Sequence, residues 1–201
     1  MNLVVQSQNM EEYLKETEIV NFSESSIKKL TGELFHQRQS EIEKIQVAFH
    51  FVRDEIAHSR DIEGERVTCT ASDVFAFKEG ICYAKSHLLA ALLRSQGIPT
   101  GFCYQRLTLF ESTDQFCIHA LNAVYIHSLQ RWYRLDARGN KKGVDAQFSL
   151  TEENLAFSVN ENIGEIDYPT IYTDPNTKTL DVLKTSTNAM DMYLNKLPTT
   201  I

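Results

Sequence analysis

The chain has 201 residues, of which 42% are hydrophobic and 23% charged, and its formal net charge is −7. This length suits one domain with its own core, and the composition is typical of a globular protein, which disfavours a disordered or membrane-embedded chain. The negative charge argues against a nucleic-acid-binding surface, because the basic doublets Lys28-Lys29 and Lys141-Lys142 are too few to form a basic groove.

The sequence also bears on where the protein resides. The first nine residues lack a basic region and contain only a three-residue apolar run, so they predict no secretory signal. No stretch approaches the roughly 20 apolar residues that cross a bilayer. The cysteines form no C-x-x-C pair, which is typical of a reducing compartment; they are Cys69, Cys82, Cys103 and Cys117. We therefore expect a cytoplasmic protein without a membrane partner.

The first half of the chain predicts helices. The first 40 residues are polar, and the best helical candidate there covers residues 23–35. A clearer helix follows, because apolar residues recur at steps of three and four. These residues are Ile42, Ile45, Phe49, Val52 and Ile56. Ser40 followed by Glu43 predicts a capping box at the start of this helix.

A polar stretch at 58–70 predicts a surface loop that can border a cleft. After residues 71–77, the loop Glu79-Gly80-Ile81 leads into a strongly apolar segment that predicts a helix over 83–96. Gly97-Ile98-Pro99 marks the end of this helix, because glycine stops a helix and proline cannot continue it.

The second half begins with strand-like patterns. We predict strands over 101–110, 118–126 and 131–136, with residues 111–114 and 127–130 as connections. Helices followed by strands indicate an α+β domain with a mainly antiparallel sheet. In the tail, Ser149 is a possible helix start and 179–194 predicts a last helix. The expected organisation is one domain over 1–201. Its core lies at about 41–140, its N-terminal helical segment at 1–40 and its C-terminal extension at 144–201.

Three residues have the order and chemistry of an acyl-transfer triad. Cys82 lies where the loop enters the apolar helix, and the positive end of the helix dipole favours a thiolate there. His119 lies in one predicted strand and Asp136 at the end of the next. Cys82 is therefore a candidate nucleophile, His119 its base and Asp136 the orienting acid. The backbone N–H of Cys82 is a candidate oxyanion donor, and no second donor is identifiable from the sequence.

Two hairpin registers would bring His119 and Asp136 together. A tight turn centred on His127-Ser128 places the two residues directly opposite, with Cβ atoms about 4.5–5.5 Å apart. A four-residue turn places Arg138 opposite His119 and leaves Asp136 as a diagonal neighbour on the same face. Either register lets the carboxylate orient the imidazole.

Several separated blocks carry a resemblance to a known family. They are residues 73–86 (DVFAFKEGICYAKS), 90–99 (AALLRSQGIP), 118–125 (IHALNAVY) and 132–136 (WYRLD). Over roughly residues 41–140 the chain resembles the transglutaminase-like core. The resemblance implies a papain-like fold, in which the nucleophile opens a central helix packed on an antiparallel sheet. It carries Cys82, His119 and Asp136 over as nucleophile, base and orienting acid.

Two departures from the family pattern concern substrate contacts. Leu121 stands where the family commonly has Trp, and Asp136-Ala137-Arg138-Gly139 replaces the usual Asp-Pro-Thr ending. Since no loop of alternating acidic ligands is visible, we do not expect a calcium-activated enzyme of the animal type.

The family contains protein-crosslinking transglutaminases, cysteine proteases and glycopeptide amidases, which attack an amide carbonyl through a thioester. We therefore predict a cysteine enzyme that hydrolyses a peptide or glutamine-type amide of a peptide or protein substrate, with no cofactor. Two alternatives keep the same fold: acyl transfer to an amine, as in a transglutaminase, and a non-catalytic module that binds a peptide. A third alternative is a metal site that uses Cys117 and His119.

The remaining candidates have simpler interpretations. Buried cysteines usually act as small hydrophobic residues, and we expect that role for Cys69, Cys103 and Cys117. We expect surface or packing roles for the histidines at 50, 58 and 87. Arg138 is expected in a solvated turn rather than against a substrate carboxylate.

Overall fold

The computed structural model describes residues 1–109 and 115–201. Its helices are α1 (Ser25–Leu34), α2 (Glu41–Glu55), α3 (Ala71–Phe77), α4 (Cys82–Arg94), α5 (Thr177–Thr185) and α6 (Ala189–Asn195). Its strands are β1 (Val4–Val5), β2 (Ala57–His58), β3 (Glu79–Gly80), β4 (Thr100–Thr108), β5 (Phe116–Ile126), β6 (Arg131–Leu135), β7 (Ile166–Asp167) and β8 (Thr170–Ile171). Short 3-10 helices lie at Met10–Tyr13 and Glu161–Ile163. The predicted strand end at Phe110 and the connection at 111–114 lie outside the described residues.

The main sheet has the strand order β6-β5-β4-β7, and each neighbouring pair is antiparallel. Helix α4 packs against β5 and β4, while α2 and α3 pack against α4. This arrangement of helices on an antiparallel sheet confirms the predicted α+β class. Within the described part of the chain, no helix has the length and apolarity that a membrane crossing requires.

Helix α4 lies at the centre of the core, and all of its residues after Cys82 are buried. Its buried polar side chains therefore need partners inside the protein. Lys85 Nζ donates to the carbonyl oxygen of Ile56 at 2.5 Å. Arg94 Nη2 donates to the carbonyl oxygens of Thr100 at 2.7 Å and Thr173 at 2.6 Å. These bonds attach the central helix to three other parts of the chain.

The helix boundaries follow the local sequence. The predicted capping box is confirmed, because Ser40 accepts from the Glu43 backbone N–H while the Glu43 carboxylate accepts from Ser40. The apolar helix begins at Cys82 and ends at Arg94, two residues before the predicted end. Cys82 is thus the first residue of α4, as the sequence indicated.

The β5–β6 hairpin adopts the register with a four-residue turn. Ile126 pairs with Arg131 and Asn122 with Leu135, so the tight turn that places His119 directly opposite Asp136 is wrong. The Glu41 carboxylate of α2 accepts from the backbone N–H groups of two turn residues, at 3.1 and 3.3 Å. This contact with another element stabilises the longer turn.

The C-terminal extension differs most from the sequence prediction. No helix starts at Ser149: its hydroxyl accepts from the backbone N–H groups at 151 and 152, but the bonds end there as a local turn. The single helix predicted over 179–194 is wrong too, because it is divided into α5 and α6. The side chain of Asn188 caps α6 by accepting from Asp191 N at 3.0 Å.

The N-terminal segment pairs with the C-terminal extension, a feature that the sequence did not predict. Strand β1 pairs in parallel with β8, so the N-terminal segment contains a strand as well as helices. Tyr13 is fully buried, and its hydroxyl donates to the carbonyl oxygen of Ile171 at 3.2 Å. A second, smaller core forms around Tyr13, and it contains Cys103, Leu121, Ala123 and Ile171.

Candidate active site

The three predicted site residues lie close together around one cleft. Cys82 and His119 both line a cleft of about 670 Å³, and Asp136 lies behind His119. Cys82 is partly exposed, whereas His119 and Asp136 are 4% and 1% exposed. Cys82 is therefore accessible from the cleft, while its two predicted partners are shielded from bulk water.

The imidazole of His119 is fixed by Asp136. Nε2 of His119 lies 2.8 Å from Oδ2 of Asp136. The carboxylate also accepts from the backbone N–H groups of Arg138 at 3.2 Å and Ala156 at 3.0 Å. The ring of Phe157 packs edge-on against the imidazole with centroids 5.1 Å apart. Because Nε2 of His119 is hydrogen-bonded to Asp136, Nδ1 is the ring nitrogen that remains available to exchange a proton with Cys82.

The pKa values of this pair follow from the same contacts. Burial alone would lower the pKa of His119, but the charges of Asp136 and Cys82 and their hydrogen bonds outweigh burial and raise it to about 10. Burial alone would raise the pKa of Asp136, but the charge and hydrogen bond of His119 and the two backbone donors lower it. An imidazolium beside a carboxylate is therefore the favoured state of the pair at neutral pH.

Direct bonds hold the helix that carries Cys82 against the strand that carries His119. The Tyr83 hydroxyl donates to the carbonyl oxygen of Ile118 at 2.7 Å. The amide of Asn122 donates to the carbonyl oxygen of Ser86 in α4 and to that of Gly101 in β4, each at 3.2 Å. These bonds fix the start of α4 relative to β5. Sequence reasoning missed Asn122, since a lone polar residue in an apolar strand does not reveal its partners.

Arg138 is buried rather than solvated, so the expected solvated turn is wrong. Its guanidinium lines the cleft and forms a bidentate ion pair with Asp61, with Nη2 2.8 Å from Oδ1. Lys141 Nζ also lies 2.6 Å from Asp61 Oδ1. Burial would raise the pKa of Asp61, but the two cations hold it well below its usual range. The mostly exposed loop after β2 is thereby attached to the rim of the cleft.

The other cysteines occupy positions that suit packing. Burial raises the pKa of the Cys103 and Cys117 thiols to about 12 and also raises the pKa of Cys69. Cys117 lines the cleft near His119. Within residues 1–109 and 115–201, no group of three or more His, Cys, Asp and Glu side chains is arranged to hold a metal ion.

Two residues noted in the sequence lie in the core. His87 is buried, and its Nδ1 lies 2.7 Å from the carbonyl oxygen of Cys69. Burial lowers the pKa of His87 to about 4, so the ring is neutral, as a packing role requires. Leu121 lies in the second core, where it does not line the cleft.

A sequence model of the Transglutaminase-like superfamily matches residues 28–137, which is more than half of the chain. The chain therefore belongs to the transglutaminase-like superfamily, whose members are typically cysteine enzymes. No curated protein matches the sequence significantly.

Solved structures that are similar to this chain include the following two. One is a candidate cysteine protease from Cytophaga hutchinsonii, with a TM-score of 0.53 and 17% sequence identity over 66% of this chain and 43% of that chain. The other is a TGase, with a TM-score of 0.48 and 18% identity over 88% of this chain and 51% of that chain. The chain thus spans about half the length of these relatives or less. Together with the family match, the first likeness confirms the expected papain-like fold, in which Cys82 opens the central helix.

Proposed function

We propose that this protein is a cysteine enzyme that hydrolyses a peptide or glutamine-type amide through a thioester on Cys82. The observation that carries the proposal is the buried His119–Asp136 pair beside Cys82, at the start of α4 in the same cleft. A thiol, an imidazole and a carboxylate in this order supply a nucleophile, a base and an orienting group.

In the proposed reaction, the Cys82 sulfur bonds to the amide carbonyl carbon, and its proton resides on His119 as imidazolium. His119 then protonates the leaving amine, the C–N bond breaks and a thioester remains. A water molecule attacks the thioester and gives one proton to His119. The C–S bond breaks, the carboxylic acid leaves and the proton returns to the sulfur. Asp136 holds the imidazole in one orientation throughout and stabilises its charged form.

Water is the proposed acceptor because Cys82 is partly exposed in the cleft. Water reaches an exposed thioester without a binding site of its own, whereas an amine acceptor must be held next to the sulfur. Transfer to an amine remains the rival outcome of the same chemistry, because both reactions share the thioester.

The test offers the enzyme three substrates in parallel. Casein cleavage is followed by mass spectrometry of new termini, ammonia release is measured from a glutamine dipeptide, and amine transfer is measured by incorporation of dansylcadaverine into casein. The control variants are Cys82→Ala and Cys69→Ala. We expect cleavage or ammonia release by the wild type and by Cys69→Ala, and none by Cys82→Ala.

Each alternative has its own result in this assay. Dansylcadaverine incorporation that exceeds hydrolysis would replace the hydrolase with a transferase. If wild type converts nothing but binds casein peptides as tightly as Cys82→Ala does, the non-catalytic peptide-binding module is the better description. Equal product from wild type and Cys82→Ala would rule out the Cys82 mechanism.

A further inference from the structure

His58 lies beside the backbone that leads to Cys82. Strand β2 pairs in parallel with β3, and His58 is the partner of Gly80, two residues before Cys82. Ser59 N donates to the carbonyl oxygen of Gly80 at 3.2 Å, which continues this pairing. On the other side, Lys85 Nζ holds the carbonyl oxygen of Ile56. The backbone of His58 is therefore fixed against the start of α4.

The imidazole of His58 is a buried polar group without a partner. The residue is 5% exposed and lines the same cleft as Cys82 and His119. Its Nδ1 is enclosed and has no hydrogen-bond partner among the residues that the structure describes. An unpaired buried polar atom costs roughly 1–3 kcal/mol. A ligand in the cleft does not reach an enclosed atom, and no acceptor of the described residues lies near Nδ1, so the proton of a neutral imidazole belongs on Nε2.

The protonation state of His58 suits a hydrogen-bond donor. Burial lowers the pKa of its imidazole well below 6.5, and the nearby positive charge of Arg138 lowers it further. Asp61 acts in the opposite direction, while Lys85 and His119 also lower the pKa. The ring is therefore neutral at physiological pH and has one N–H group to donate and one nitrogen that accepts.

We propose that the Nε2–H group of His58 donates a hydrogen bond to the oxygen of the substrate carbonyl that Cys82 attacks, and so acts as the second oxyanion donor beside the backbone N–H of Cys82. This inference rests on the proposed function, since it concerns the tetrahedral adduct formed on Cys82. The carbonyl oxygen becomes negative in that adduct, and a donor already in place stabilises the charge without reorganisation. His58 takes no proton from the substrate and gives none.

The test compares two reactions of the same thiol. Acylation of Cys82 by p-nitrophenyl acetate passes through a tetrahedral adduct with a negative oxygen, whereas alkylation by iodoacetamide forms no such oxygen. Acylation is measured as the p-nitrophenolate release that Cys82→Ala lacks, because the thioester itself is hydrolysed, and alkylation is measured at Cys82 by peptide mass spectrometry. The test variants are His58→Phe, which removes the donor, and His58→Gln, which restores an N–H donor. The controls are His50→Phe, a half-buried histidine in α2 away from the cleft, and Tyr193→Phe, whose ring packs edge-on against His58 at 6.3 Å.

We expect acylation to fall about 10²- to 10³-fold in His58→Phe, the effect of losing one oxyanion donor. His58→Gln should recover part of the rate, and alkylation and both controls should stay near wild type. Unchanged acylation in His58→Phe, equal losses of acylation and alkylation, or a loss in Tyr193→Phe instead would overturn this assignment. A wild type that releases p-nitrophenolate no faster than Cys82→Ala would overturn the proposed function itself.

Discussion

The Asp61 carboxylate accepts hydrogen bonds from both Nη atoms of Arg138, which lies 77 residues further along the chain. The backbone N–H of Arg138 also donates to Asp136. One arginine thus links the loop after β2 to the carboxylate that orients His119. The ion pair therefore stabilises one side of the cleft and the position of Asp136 together.

Asp61→Asn should lower the free energy of unfolding by about 2 kcal/mol. Removing one partner of a buried pair costs roughly 3–5 kcal/mol, and partial exposure of the Asp61 side chain, at 22%, reduces that cost. Urea denaturation of wild type and variant measures the change. Glu12→Gln is the control, because its pair with Lys15 is solvent-exposed and should contribute about 0.5 kcal/mol or less. Equal small losses in both variants would contradict a structural role for the Arg138 pair.

Local patterns in the sequence were sufficient to place the three candidate site residues. The apolar run after Gly80 predicted α4, and the strand-like alternation predicted the strands that carry His119 and lead to Asp136. Each prediction depended on neighbouring residues, which share one element and therefore one periodicity. The predicted bounds of α4, β5 and β6 agree with the structure within a few residues.

Features that depend on distant parts of the chain were not predictable in this way. The hairpin register is stabilised by Glu41 of α2, and the burial of Arg138 depends on Asp61. Ala156, in the C-terminal extension, supplies a backbone donor to Asp136. No local pattern records such contacts, because each joins segments whose spacing in the sequence is arbitrary. His58 was missed for the same reason: its role depends on the cleft around it.

The His119–Asp136 pair should make stability depend on pH. The pKa of His119 in the folded protein, about 10, is above its ordinary value of 6.5, so the stabilisation is complete below about pH 6.5 and disappears as the pH rises through 10. The lowered pKa of Asp136 has the opposite consequence, because its contribution disappears as the pH falls below about 3.9. The pair therefore contributes most to the free energy of unfolding between about pH 3.9 and pH 6.5.

Asp136→Asn isolates this contribution. Breaking the buried pair should cost about 3 kcal/mol near pH 5–6. The difference in unfolding free energy between wild type and variant should then decrease as the pH approaches 10. Urea denaturation of wild type and Asp136→Asn at a series of pH values measures this difference in unfolding free energy. A difference that stays constant from pH 5 to 10 would mean that His119 is not held in its charged form by Asp136.

Cys82 should react with iodoacetamide faster than the other three thiols of the protein. Cys82 is partly exposed in the cleft that His119 also lines, whereas Cys103 and Cys117 are buried. Because a histidine base next to an accessible thiol activates it as a nucleophile, we expect labelling at pH 6.5 to be about 10-fold faster than that of a free cysteine. Peptide mass spectrometry reports all four labelling rates in one sample.

The internal controls for this experiment are Cys103 and Cys117, since burial raises the pKa of both thiols to about 12. His119→Ala should slow labelling of Cys82 to the rate of a free cysteine and leave the two controls unlabelled. Equal labelling of Cys82 in wild type and His119→Ala would remove the support for an activated Cys-His pair.

The same substitution at two glycines should change stability in opposite directions. A Cβ at Gly101 would lie 2.4 Å from Cγ2 of Ile171 and 2.8 Å from the carbonyl oxygen of Tyr172, so Gly101→Ala must displace β4 from the C-terminal strand. Overpacking of this kind costs about 1–3 kcal/mol. Gly32 lies inside α1, and a Cβ there would have no atom outside the helix backbone within 4 Å, so Gly32→Ala should stabilise the protein by about 0.5–1 kcal/mol. Thermal and urea denaturation of both variants measure the changes, and a stabilising Gly101→Ala would mean that β4 and β8 are not packed as closely as these distances require.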